Sequence, residues 1–183
     1  METAGGFVKF ENGVPEYINS FVEYYLAHEA QGNILWENLL STYYYDYALS
    51  CSNAFAAEWF EYNLNVNNIL VAMTARKYKL KVDDAVIGDN DVADALRTSG
   101  ARDFGLSGML DYLEDIQRLN ENPRLQEREH LLDEMRWRWL EDNSALCHFS
   151  VERLFVFLQR LVIAARLILT FCYMAIQLLQ PMN

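Results

Sequence analysis

The sequence predicts an all-α protein, a bundle of long antiparallel helices joined by shorter connecting helices. Only 8 Gly and 3 Pro occur in 183 residues, so few positions favour turns or break helices. Apolar residues recur at spacings of three and four in several long segments, which is the periodicity of an amphipathic helix. Since 52 % of the chain is apolar, it can bury a substantial core.

The first two helices are predicted from their turn signals and apolar faces. Residues 1–14 are expected to form a short lead-in, or the remainder of a truncated N-terminal part, with a brief strand at 7–10. Pro15 can open the first helix because an N–H is not needed at that position. This helix should end near Gly32, and a second should run from about Asn33 to about Ser50.

The third predicted helix has the most regular pattern in the chain. Its apolar stripe consists of Phe55, Trp59, Tyr62, Val66, Ile69 and Met73. The same segment contains asparagines at 63, 65, 67 and 68, which are poor helix formers and indicate a kink or a polar contact with a neighbouring helix. A loop or short extended piece is expected over 79–90, followed by a short helix capped by Asn90 or Asp91.

The second half predicts three further helices. The first should carry the apolar face Leu106, Met109, Leu110, Leu113 and Ile116 and end at 120–123. The next should carry the stripe Leu125, Leu132, Met135 and Trp139 and end at Asn143-Ser144. A final helix is expected to begin near Ser150, whose hydroxyl suits a helix N-terminus.

The tail is almost wholly apolar from Leu161 to Leu179, apart from Arg166, Thr170 and Gln177. A charge near the middle of a membrane span costs at least ~2.5 kcal/mol, so Arg166 favours a helix that is buried or covered by a partner. The predicted organisation is a helical domain over 15–166, either single or split into two lobes near 80–100, followed by an apolar C-terminal helix over 167–183.

Charge limits the partners. The chain has 15 Lys plus Arg against 26 Asp plus Glu, a formal charge of −11. Because this field repels phosphates, we expect no nucleic-acid partner and little attraction to anionic lipid. Cys51, Cys147 and Cys172 have no regular spacing, which is typical of reduced thiols in a cytoplasmic protein.

Candidate catalytic groups are sparse, so we expect no enzyme, no cofactor and no small-molecule substrate. Glu127 and His130 form one Glu-x-x-His pair, whereas a carboxylate-bridged metal centre in a bundle needs two such pairs. Cys147 and His148 are adjacent, so on a helix their side chains diverge by ~100°. The acidic run around Asp83, Asp84 and Asp89 lacks the ligand spacing of a calcium loop.

Aromatic residues are the best candidates for partner binding. Three consecutive tyrosines, at 43–45, cannot all point inward from one helix, so we expect Tyr44 to contact a partner. Trp137 falls off the apolar stripe of its helix and is flanked by Arg136 and Arg138. Trp137 is either packed under a second lobe or an interface anchor, and as an anchor it would bind the partner together with Arg136 and Arg138.

The sequence also resembles a known family. Over roughly 33–166 it is similar to an uncharacterised family, found mainly in Bacteroidetes-type bacteria, whose gene sits with those of V/A-type ATPases. Members of that family look like divergent C-type subunits of these ATPases, which correspond to the d-type subunits of eukaryotic V-ATPases. The resemblance is carried by the segments YYYDYA (43–48), NAF (53–55), WFEYNL (59–64), 68–77, LLDEMRWRWLED (131–142) and FSVERL (149–154).

The resemblance implies a funnel-like helical protein without chemistry of its own. Proteins of this type couple the central stalk to the membrane rotor ring, so the expected partners are stalk and ring subunits and the expected location is the cytoplasmic face of the membrane. The alternative is a general helical interaction scaffold, associated with a membrane through its apolar tail.

Overall fold

The computed structural model describes residues 13–28, 35–145, 147 and 150–179. In these ranges the chain forms seven helices and no strand, which confirms the all-α prediction. The strand expected at 7–10 lies outside the described residues. The helices are α1 (Glu16–His28), α2 (Trp36–Leu49), α3 (Ala54–Lys77), α4 (Asp91–Thr98), α5 (Leu113–Glu121), α6 (Leu125–Asn143) and α7 (Val151–Leu179).

The chain divides into two compact units at the end of α4. The first unit, Met1–Ser99, contains α1 to α4, and the second, Gly100–Asn183, contains α5 to α7. Consecutive helices pack on each other within each unit: α1 on α2, α2 on α3 and α3 on α4, then α5 on α6 and α6 on α7.

The core of the first unit is built along α3. The Asn53 side chain caps this helix by accepting a hydrogen bond from the Ala56 N–H at 3.0 Å. The predicted stripe is buried at Trp59, Tyr62, Val66 and Ile69, whereas Phe55 and Met73 at its ends are only half-buried. The periodicity therefore located the centre of this core correctly.

The asparagines of α3 fasten the loop that follows it. Asn68 is 2 % exposed, and its side-chain amide donates to the Ile87 carbonyl at 2.7 Å and accepts from the Ile87 N–H at 3.1 Å. Asn90 donates to Asn65 at 2.8 Å and caps α4 by accepting from the Ala93 N–H at 3.0 Å. Asn65 and Asn68 thus contact a loop and a helix cap, whereas Asn67 makes the predicted contact with a neighbouring helix by donating to the Tyr45 hydroxyl of α2 at 2.9 Å.

The predicted helix over 106–116 is wrong in its first half. Residues 101–112 form successive turns, and α5 begins only at Leu113. Positive φ angles at Phe104 (57°), Gly105 (73°) and Gly108 (91°) turn the backbone out of the right-handed helical region. Leu106 is nevertheless buried, so this position is apolar for reasons of packing although it does not lie on a helix.

In the second unit, α6 and α7 are the long elements. The predicted α6 stripe is buried at Leu132 and Met135, but Leu125 is exposed and the buried face passes through Asp133 and Leu140 instead. The backbone of α7 runs without interruption from Val151 to Leu179, across the expected boundary at 166/167. Among the described residues, no helix combines the length and the apolar character needed to cross a membrane.

Candidate partner-binding surfaces

Tyr44 lies inside an aromatic cluster of the first unit. Its ring centroid is 5.7 Å from that of Tyr17, 5.0 Å from Tyr45 and 6.1 Å from Phe60, with edge-to-face geometry in each pair. Burial, and then the neighbouring Tyr45 and Tyr17, raise the pKa of the Tyr44 hydroxyl. Tyr44 is half-buried, so only part of this side chain is available to a partner.

The remaining tyrosines of this segment divide between core and surface. Tyr45 is buried, and its hydroxyl accepts a hydrogen bond from the Asn67 side chain at 2.9 Å. Tyr47 is 49 % exposed, and its ring contacts that of Tyr17 with 5.4 Å between the centroids. The most exposed tyrosine near the triplet is therefore Tyr47, one helical turn after the positions that the sequence singled out.

Trp137 and Arg138 lie on the surface of α6. Trp137 is 37 % exposed, and the Arg160 guanidinium of α7 sits 4.7 Å from its ring centroid, a cation–π contact. Arg138 pairs with Asp115 of α5 at 3.0 Å. Trp137 is thus partly covered from within its own unit, while one portion of the ring remains open to solvent.

Arg136 faces a different direction from Trp137 and Arg138. Its side chain is only 15 % exposed and lies 4.0 Å from the buried carboxylate of Asp133. The four residues predicted to bind partners therefore do not form one site. Tyr44 belongs to the first unit, whereas Trp137 and Arg138 lie on the surface of the second. Arg136 also belongs to the second unit, but it faces the buried carboxylate of Asp133.

An ion pair between a buried carboxylate and a partly exposed arginine joins α6 to α7, and sequence analysis did not find it. Asp133 is 2 % exposed and pairs with Arg166, the lone charge in the apolar tail. An uncompensated charge in the interior is costly, so each residue accounts for the presence of the other. The sequence does contain a signal for this pair, because one acid interrupts the apolar stripe of α6 and one base interrupts the apolar run of α7.

A cleft between α6 and α7 surrounds this ion pair. It has a volume of about 390 Å³, and its charged lining residues are Asp133, Arg166, Glu127 and Glu129. The remaining lining residues are Leu125, Gln126, His130, Leu167 and Thr170. The cleft exposes one edge of Arg166, whose side chain remains 44 % accessible.

One side of α7 carries a continuous series of exposed apolar side chains, and we call this side the outer face. At 100° per residue, positions 151, 154, 158, 161, 165 and 168 fall within an arc of about 100°. The opposite side, which carries the buried Val156 and Ile163, packs against α6. Eight large apolar side chains of the outer face are between 48 and 72 % exposed: Val151, Leu154, Phe157, Leu158, Leu161, Val162, Ile168 and Leu169. The outer face also includes the exposed Ala165.

Glu127 and His130, the candidate metal ligands, lie one turn apart on α6, but each has a different polar partner. Glu127 bonds to Asn122 at 3.0 Å and Arg124 at 2.5 Å, and these two bonds, in that order, lower the pKa of its carboxyl. His130 instead pairs with Glu134 at 3.2 Å. Within the described ranges, no three His, Cys, Asp or Glu side chains lie together as a metal site.

The thiols and the acidic loop are the remaining candidate groups. Cys51 is exposed and Cys147 half-buried, while His148 lies outside the described residues. Asp89 is fully exposed and lies 3.7 Å from Arg97.

The fold and these surfaces define a helical protein with a long, solvent-facing apolar helix side. In a comparison with protein families, residues 5–170 match the model of DUF2764, a protein of unknown function. The chain therefore belongs to this family. No curated protein and no solved structure matches the chain.

Proposed function

We propose that the protein is a non-catalytic adaptor in a V/A-type rotary ATPase and couples the central stalk to the membrane rotor ring. The proposal includes the funnel-like arrangement of C/d-type subunits and a peripheral position at the cytoplasmic face of the membrane. The family resemblance of 43–48, 59–64 and 131–142 supplies the identity of the complex. The outer face of α7 is the observation that carries the adaptor role.

An apolar surface of this kind favours a binding role. Proteins that act alone seldom expose a contiguous set of large apolar side chains, because covering them releases ordered water and is favourable by about 25 cal/mol per Å². On α7 such side chains follow one another for five turns, from Val151 to Leu169. A permanent partner would cover this surface and remove the cost of its exposure.

The long helices suit a protein that transmits force. The 24 residues of α3 and the 29 residues of α7 are rods of about 36 Å and 44 Å at 1.5 Å per residue. The asparagine contacts of α3 and the Asp133–Arg166 pair of α7 tie these rods to their neighbours. In the proposed mechanism, torque passes through such braced helices from one bound partner to the next.

The identity of the complex is tested by co-purification. The tagged chain is recovered from gently solubilised native membranes, and the proteins that accompany it are identified by mass spectrometry. We expect stalk and ring subunits of a V/A-type ATPase in fixed ratio to the chain. Recovery of the chain alone, with the ATPase intact elsewhere in the same extract, would refute the proposal.

A general helical scaffold that associates with a membrane through its tail is the alternative, and the outer face of α7 favours it as well. The two functions differ in the way the chain is held. An alkaline wash of native membranes should release a peripheral ATPase component. Retention of the chain in the washed membranes, without stalk subunits, would favour the scaffold instead.

A further inference from the structure

The charges of α7 are opposite in sign to those of the chain as a whole. Between Val151 and Thr170 the helix carries three arginines, Arg153, Arg160 and Arg166, and a single acid, Glu152. The complete chain has a formal charge of −11. A partner of α7 therefore meets a local excess of positive charge on an otherwise acidic protein.

Arg166 lies beside one edge of the outer face, and Arg153 lies beside the other. At 100° per residue, Arg166 is about 40° around the helix from Val162, and Arg153 is about 40° from Phe157. One side of the Arg166 guanidinium is occupied by Asp133, while 44 % of the side chain remains accessible. A guanidinium has five N–H donors, so Arg166 can bind a second carboxylate without releasing the first.

A shallow depression lies where Arg166 meets the outer face. Its volume is about 650 Å³, and Arg166 is its one charged residue among apolar groups and a threonine. The remaining lining residues are Val162, Ala165, Leu169 and Thr170. Ala165 leaves space between larger neighbours, as a hole does for a knob in helix packing.

The spacing of the outer face matches a helical partner. Leu154, Leu158, Leu161, Ala165 and Ile168 follow a 4-3-4-3 rhythm, an average period of 3.5 residues. Helices with this period pack along their length against another helix at a shallow crossing angle. An extended peptide would not match side chains that repeat at this period.

We infer that the outer face of α7 binds an amphipathic helix of another protein, which carries a large apolar side chain over Ala165 and an adjacent carboxylate paired with Arg166. This inference rests on the proposed function only in taking the outer face as a protein-binding surface. The chemistry of the partner follows from the depression, the spacing and the charge of α7.

Two other occupants fit these features less well. Adsorption to an anionic lipid surface is opposed by the formal charge of −11 of the chain as a whole. A second copy of α7 would oppose two arginine-rich helices that have one acid each over 151–170, so like charges would face each other.

Site-specific photo-cross-linking tests the inference in the full chain. A photoreactive phenylalanine analogue is placed at Leu161, the protein is irradiated in native membranes, and the cross-linked peptide is sequenced. We expect a peptide of another protein with apolar residues at spacings of three and four and an Asp or Glu beside them. Cross-links only to lipid, to a second copy or within the chain would overturn the inference, as would a partner peptide without an acid.

Charge-neutral variants test the role of Arg166 without stranding a buried charge. The double substitution Asp133→Asn/Arg166→Gln keeps similar side-chain sizes and should reduce the cross-linking yield from Leu161 about tenfold. The matched control is Asp115→Asn/Arg118→Gln, which removes an ion pair within α5 and should leave the yield unchanged. Equal yields from both double variants, with wild-type circular dichroism, would refute the contact with Arg166.

The result is separable from the test of the proposed function. An acidic amphipathic helix of a protein outside the ATPase would support the inference and refute the proposed complex. Cross-linking to a stalk or ring protein through a segment that lacks an acid would support the proposed complex and refute the inference.

Discussion

At the scale of single residues, the protein places isolated charged and polar groups inside apolar surroundings and gives each a specific partner. Asp133 and Arg166 pair across α6 and α7, and Asn68 binds the backbone of Ile87. Such pairs contribute little net energy when intact, but the loss of one partner leaves the other in an unfavourable environment. These positions should therefore be sensitive to single substitutions.

The substitution Asp133→Ala should lower the free energy of unfolding by about 2 kcal/mol. The cost lies below that of a fully buried pair because Arg166 is 44 % exposed and can turn to water. Urea denaturation followed by circular dichroism measures the change. Glu134→Gln, which removes the exposed pair with His130, is the control and should cost at most about 0.5 kcal/mol. Equal losses would show that burial of the Asp133 carboxylate is unimportant.

The substitution Asn68→Leu tests the two hydrogen bonds that join α3 to the following loop. Leucine retains the approximate volume but removes two hydrogen bonds to Ile87, which are worth about 1 kcal/mol each. Hydrogen exchange of the Ile87 amide should become at least about tenfold faster, because local opening of the loop becomes easier. The control is Asn143→Leu, since the Asn143 amide donates to the Trp139 carbonyl of its own helix at 2.8 Å. An unchanged Ile87 exchange rate would contradict this role.

The Tyr44 hydroxyl should make the first unit sensitive to alkaline pH. Its pKa is raised in the fold, so the unfolded chain releases this proton at a lower pH than the folded one. The associated stability is fully present below the ordinary tyrosine pKa of about 10 and is lost as the pH rises through the folded pKa. Thermal unfolding between pH 8 and 11 should show a smaller decline for Tyr44→Phe than for wild type. Identical declines would count against the burial of this hydroxyl.

The sequence could predict which residues are unusual at this scale, but not their partners. Arg166 and the α3 asparagines stood out because they interrupt apolar or helical patterns. Their partners Asp133 and Ile87 are 33 and 19 residues away along the chain, and side-chain periodicity carries no information on such distant contacts. Tyr44 was expected to be exposed, whereas the rings of Tyr17 and Phe60 cover part of it.

At the scale of elements, the helices follow their local signals closely where caps and breakers are strong. Asn53 and Asn90 cap α3 and α4, and α5 ends just before Asn122-Pro123. The segment 101–112 departs from its apolar pattern because its positive φ angles break the helix, and nothing in the spacing of Leu106 and Met109 reveals those angles. Apolar spacing thus predicted burial there correctly at Leu106 but the backbone conformation wrongly.

Mutations on the two apolar sides of α7 should differ strongly in their effect on the free energy of unfolding. Ile163 is 5 % exposed on the side toward α6, so Ile163→Ala should cost about 2–4 kcal/mol of unfolding free energy. Leu161 is 54 % exposed on the outer face, so Leu161→Ala should change that free energy by at most about 0.5 kcal/mol in the isolated protein. Denaturant titration of both variants provides the comparison. A large loss for Leu161→Ala would indicate that the outer face is covered within the chain itself.

At the scale of the whole molecule, the all-α class followed from the sequence, because low Gly and Pro content and three-four spacing extend over most of the chain. The outer face of α7 did not follow, since a helix that is apolar on every side gives no indication of which side its own fold covers. The structure supplies that distinction: Val156 and Ile163 are buried, and Leu154 and Leu161 are not. The adaptor proposal depends on this difference between covered and exposed apolar groups.

Retention of ATPase subunits by outer-face variants tests the adaptor proposal most directly. Tagged wild type is compared with Leu154→Glu/Leu161→Glu and with Leu80→Glu/Met109→Glu, a control that places the same charges at two exposed apolar positions outside α7. We expect wild type and control to recover stalk and ring subunits in equal ratio, and the outer-face variant to recover at least about tenfold less while keeping its helical content. Equal recovery by all three proteins would contradict the claim that the outer face of α7 is the docking surface.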